Sequence, residues 1–308
     1  MTFSTPLILQ GPLRAPAQML EEQEYGGHNS IHDDARAQEL GFQAGPIEGP
    51  THFSLYPPLM EKIYGRSWFE RGCISAHYQN MVVEGEQTRA FVEWPSESGD
   101  TTRAWVEKED GTPVQEASAS VDAGETLLEK RLKSLRPAGK LVILEDIEVG
   151  MTGKQDEVVR MDPDQHMGNL YPFSLNQKLK VITESSPWYS DPSSTPWGKA
   201  IVPLEMVSVL GEYSNRQAGW PVKGPAVGLF ADQEIRMIDG PLFVGEEYVL
   251  RREIVAVSES KRTEGYWIRT RFFDSSGERQ VAEMLLNHAV VKASYENYDE
   301  LRAEREAK

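Results

Sequence analysis

Two short polar stretches hold the residues best suited to moving protons: HNSIHDD at positions 28–34 and PIEGPTHF at positions 46–53. They gather His28, Asn29, His32, Asp33, Asp34, Glu48 and His52, and so contain three of the chain's six histidines. Imidazole changes charge near neutral pH, so a histidine in a pocket can take or give a proton under ordinary conditions. A proton beside a carbonyl becomes removable when a positioned base takes it and hydrogen-bond donors hold the enolate that forms. His32 and His28 are both candidates for that base. Asn29 either braces the turn through its side-chain amide or takes part directly. The donors would be Gly49 and neighbouring amides, where a helix start leaves N–H groups unpaired and its dipole favours negative charge. Glycine at 49 allows close approach to the backbone. Pro50 has no N–H to give, and Thr51 is the expected N-cap. Glu48 and His52 flank this turn and could supply a second proton carrier.

Each of these residues also has a purely structural reading. His32 could support a helix start, with Asp34 capping ARAQELG. A His28–His32 pair with Asp33 has the composition of a metal site, but the glycines before it point to a loop and no companion glutamate follows, so no metal is expected. Cys73, the single cysteine, excludes internal disulfides and reads as a small buried residue.

The elements that must position these groups follow from length and pattern. A chain of 308 residues is long enough for two cores. With 39% hydrophobic and 26% charged residues it is globular in composition. A formal charge of −16 argues against nucleic-acid or anionic-membrane partners, which need a basic surface. The N-terminus lacks a basic region followed by an apolar run, and no stretch approaches about 18 consecutive apolar residues, so a cytoplasmic location is expected.

Residues 126–140, TLLEKRLKSLRPAGK, carry leucines at helical spacing and end in Pro137 and Gly139, which reads as a short linker helix. Its Lys130, Arg131, Lys133 and Arg136 read as a solvated or salt-bridged face. On either side the same order recurs: a polar loop, a proline-opened helix, then antiparallel strands joined by hairpin signals such as EDG and DSSG. The first block spans 1–125 and the second 141–308, an α+β organisation in which each sheet wraps one helix. In TRAFVEW, Thr88, Ala90, Val92 and Trp94 share one face and Arg89, Phe91 and Glu93 the other. Pro57 and Pro58 should start the first helix near residue 57 or kink it.

The segment HNSIHDDARAQELGFQAGPIEGP, residues 28–50, resembles the motif of the MaoC-like dehydratases and R-specific enoyl-CoA hydratases: Asp-x-Asn-Pro-Ile/Leu-His, a following Gly-Phe, and an Ala-His-Gly turn. The resemblance implies two fused hot-dog domains. It places Asn29 and Ile31 on matching positions and His32 on the catalytic histidine. The family's aspartate falls on position 27, where this chain has Gly27, so another group must replace it. At the equivalent place in the second block, Glu184 takes the aspartate position, Ser186 the asparagine and Tyr189 the histidine, which implies a single competent site with Tyr189 facing it. The implied activity is a hydro-lyase reaction on an enoyl or β-hydroxyacyl compound, with coenzyme A as part of the substrate and no separate cofactor. A homodimer is compatible with this reading. Two alternatives stay open: a lyase or isomerase on a substrate that is not a thioester, and a non-catalytic acyl-binding module.

Overall fold

A computed structural model of the chain describes residues 5–25, 28–96, 101–122 and 124–307. The N-terminal block contributes β1 (Ile8–Gln10), the short β2 (Glu24–Tyr25) and β3 (His28–Asn29), α1 (Asp34–Glu39), a 3-10 segment (Gly49–Leu55), α2 (Pro57–Tyr64), α3 (Ser67–Arg71), β4 (Gly72–Tyr78), β5 (Thr88–Glu93), β6 (Thr102–Lys108) and β7 (Pro113–Val121). Helix α4 (Leu127–Lys133) follows. The C-terminal block contributes β8 (Glu157–Arg160), α5 (Leu175–Leu179), α6 (Leu204–Glu212), β9 (Gly228–Met237), β10 (Glu247–Glu259), β11 (Thr263–Phe273), β12 (Gln280–Val291) and α7 (Tyr298–Ala307).

Ten strands form one antiparallel sheet in the order β1-β5-β6-β7-β4-β9-β12-β11-β10-β8. The five strands of each block stay together, and the blocks meet where β4 pairs with β9. Two half-sheets thus wrap two central helical segments, the arrangement of a double hot-dog. Alternation sets which face is covered: Thr88, Ala90 and Val92 of β5 point inward, as do Thr102, Ala104 and Val106 of β6. Phe53, Tyr56 and Met60 from the first central segment and Met206, Leu210 and Phe272 from the second block belong to one continuous core.

Helix α2 begins at Pro57, with prolines in its first two positions, so the pair opens the helix. The turn preceding it is 3-10 from Gly49 onward and has Glu48 as its N-cap. This corrects the expectation for Thr51, which lies inside the 3-10 segment and donates its N–H to the Glu48 carbonyl at 3.1 Å. Proline at 50 leaves Thr51 as the first residue with an amide to close the turn, and 3-10 closure reaches back three residues. Helix α4 has Thr126 as its cap, with a reciprocal bond from Glu129, and its Arg131 pairs with buried Asp232 at 2.8 Å. Cys73 is buried.

Candidate active site

The loop carrying His32 is closed at both ends by polar contacts to the residues just before Glu48. Asp34 accepts a hydrogen bond from the Gly45 amide at 2.8 Å, and His32 Nδ1 bonds the Pro46 carbonyl at 2.5 Å. A Cβ at Gly45 would overlap the His32 carbonyl, so only glycine lets the two chain segments approach this closely. Asp33, and not Asp34, caps α1 by accepting from the Arg36 amide at 2.7 Å. The extended backbone of Asp33 suits a cap, and Asp34 is already committed to Gly45.

A carbonyl oxygen can only accept, so His32 Nδ1 carries the proton and Nε2 is left as an acceptor. Burial lowers the His32 imidazole to about 4 despite the opposing bond to Pro46, so it is a neutral base at physiological pH. His32 lines a cavity of about 480 Å³ that also takes Glu48, Gly49, His52, Tyr78 and Tyr171 into its wall. Glu48 receives a hydrogen bond from the Tyr171 hydroxyl at 3.0 Å. Desolvation outweighs that bond and the nearby Lys178, raising the Glu48 carboxyl to about 7. His52 is buried, its Nδ1 has no partner among the described residues, and burial holds it near 4.

The Gly49 amide finds no acceptor among the described residues. A Cβ there would come within 2.7 Å of the Tyr78 ring, so the ring lies directly against the backbone. The cavity therefore joins a neutral imidazole acceptor, a carboxyl able to hold its proton near pH 7 and a helix-start amide. These are the parts needed to take a proton, give a proton and hold a developing oxyanion. No carboxylate hydrogen-bonds His32 among the described residues. Nor do three His, Cys, Asp or Glu side chains come together there in a way that could hold a metal.

Neither Tyr189 nor Glu184, the residues aligned in the second block, lines this cavity. His28 and Asn29 form β3, opposite Tyr25 and Glu24, and Gly27 lies outside the described residues. Tyr189 is buried against a separate, small apolar pocket with Pro57, Trp68 and Phe69, apart from His32. The proline-opened turn Pro187–Tyr189 draws it inward there, beside the Trp188–Phe69 ring contact at 5.0 Å. Glu184 is occupied by Arg14 at 2.8 Å.

Several wall residues were not singled out from sequence. Tyr78 ends β4 and donates its hydroxyl to Gln233 at 3.0 Å. Tyr171 comes from the C-terminal block, as do Glu212 and His288, which bond each other at 3.0 Å. No local pattern marks a contact that joins residues so far apart in sequence.

No protein-family model matches the chain, and no curated protein matches it in sequence. Among solved structures, a MaoC-domain protein of Chloroflexus aurantiacus described as a dehydratase superposes with a TM-score of 0.60 at 13% identity, covering 94% of this chain and 96% of its own. A MaoC-like dehydratase gives 0.52 at 13% identity, covering 92% and 97%. A Mycobacterium tuberculosis protein with a double hotdog fold gives 0.53 at 10% identity, covering 94% and 97%. The chain is thus similar, over almost its whole length, to MaoC-like dehydratases in structure, and it has the double hot-dog fold.

Proposed function

We propose that the chain is a hydratase or dehydratase of the MaoC-like kind, a carbon–oxygen lyase that acts on an enoyl or β-hydroxyacyl substrate carried as a coenzyme A thioester. The supporting observation is that His32 and Glu48 line one cavity, with burial displacing their proton affinities in opposite directions. In hydration, His32 Nε2 takes a proton from water as its oxygen bonds the β-carbon. The π electrons move toward the thioester oxygen, held by the Gly49 amide. Protonated Glu48 then delivers its proton to the α-carbon, and the proton on His32 returns to Glu48 to close the cycle. Dehydration is the reverse. Glu48 thereby takes the place that Gly27 leaves vacant, and no resident cofactor is required. Residues 1–125 and 141–308 are the two hot-dog units, and 126–140 links them.

A panel of enoyl and β-hydroxyacyl thioesters assayed with the wild type, His32→Ala and His28→Ala tests the proposal. Loss of a general base costs on the order of 10²–10⁴ in kcat. Turnover unchanged in His32→Ala would remove its central residue. One observation favours a second reading, a non-catalytic acyl-binding module: His32 has no carboxylate partner among the described residues. That reading predicts acyl ligand binding with no turnover anywhere in the panel.

A further inference from the structure

The cavity wall holds a second polar group, built wholly from the C-terminal half and unused in the reaction above. Glu212 ends the buried helix α6, and His288 lies on β12; both line the cavity and are 3% and 8% exposed. His288 Nε2 lies 3.0 Å from one Glu212 oxygen, and the other oxygen accepts from Arg252 Nη1 at 3.3 Å. Arg252 is itself fixed by two 2.9 Å bonds to Glu157 and one of 3.0 Å to Thr270. The carboxylate thus has an assigned donor on each oxygen, and the imidazole presents Nε2–H to it.

The ring cannot turn freely. It stacks on Tyr266 at 5.2 Å and 17°, and Phe230 packs edge-on at 5.0 Å and 89°. Both aromatic residues also line the cavity. His288 Nδ1 has no hydrogen-bond partner among the described residues. A neutral imidazole whose Nε2–H is donated leaves Nδ1 as an acceptor only. The result is an oriented acceptor in a wall otherwise largely made of aliphatic and aromatic side chains.

We propose that His288, oriented by Glu212 and Arg252, is a substrate-specificity residue that accepts a hydrogen bond from a hydroxyl group on the acyl chain, away from the reacting carbons. The inference rests on the acyl-site reading of the cavity. An apolar chain filling the cavity would cover this acceptor without pairing it, whereas a hydroxylated one would pair it, and discrimination of that kind is how polar groups in a pocket select ligands.

The test measures binding to the full chain by titration calorimetry, using saturated acyl-CoA thioesters that no hydration or dehydration consumes. Ligands of matched length are plain or carry one hydroxyl at successive positions beyond the β-carbon. At least one hydroxylated ligand should bind about tenfold tighter than its plain counterpart, and His288→Phe should abolish that difference. If His288→Phe fails to fold, His288→Leu serves the same comparison. Equal binding of plain and hydroxylated ligands by the wild type, or a preference that survives in the variant, overturns the subsite while leaving the acyl reading intact. Absence of binding by every thioester removes the acyl reading and the subsite together.

Discussion

The two halves of the molecule share one architecture but differ in the regularity of their central elements and in how firmly each holds the polar groups it brings to the cavity. In the C-terminal half the central helix α6 is regular, with eight of its nine residues buried, and strands β9–β12 run 10–13 residues. One of its buried ionic clusters is densely matched: Arg252 bonds Glu157, Glu212, Ser214 and Thr270. In the N-terminal half strands β4–β7 run only 6–9 residues, and the central segment opens as a 3-10 turn. Its polar groups are incompletely matched: His52 Nδ1 has no partner among the described residues, and Glu48 has one bond from Tyr171. Leaving polar groups short of partners costs stability, and such groups concentrate where a ligand or a reaction completes them. Both halves line the cavity; the N-terminal half brings the polar groups with fewer partners, and the C-terminal half the more fully bonded cluster.

The contrast is most easily broken at Arg252. Arg252→Met leaves Glu157 and Glu212 buried without their cation and should lower stability by about 3–5 kcal/mol in urea denaturation. A loss under about 1 kcal/mol would mean that the C-terminal network does not hold the fold. Glu48 tests the other half through pH. Its folded-state carboxyl sits at about 7 against an ordinary 4.5, so between these values the folded chain keeps a proton that the unfolded chain has released. That contribution is fully present below 4.5 and is lost as pH rises through 7. Glu48→Gln should therefore gain stability relative to wild type on going from pH 5 to pH 8, and a pH-independent difference would show that Glu48 is not desolvated. Gly49→Ala forces a Cβ to within 2.7 Å of the Tyr78 ring and should cost about 1–3 kcal/mol, with weaker acyl-ligand binding measured alongside. The smallest effect lies between the halves: Thr126→Ala removes one arm of the α4 capping box, for a loss of about 1 kcal/mol in the same denaturation assay.

Patterns of short range were legible. Alternation in TRAFVEW gave the buried face of β5, the proline pair gave the start of α2, and leucine spacing gave α4. Capping was less so, because Asp33 and Asp34 are equivalent by type and only their partners, Arg36 and Gly45, distinguish them. Tyr189 was misplaced for a different reason. Its alignment with the histidine position says nothing of the aromatic pocket around Pro57, Trp68 and Phe69 that takes it away from the cavity.

By itself, the sequence determined the double-unit α+β organisation and the candidacy of His32, Glu48, Gly49 and His52, because these depend on periodicity, turn chemistry and residues close together in the chain. Tertiary structure alone decided which nitrogen of His32 is left as an acceptor, that Tyr171 reaches Glu48, and that Glu212 and His288 meet across 76 residues. Proton affinity and hydrogen-bond direction depend on desolvation and on partners brought by the other half of the sheet, and neither is written in local spacing.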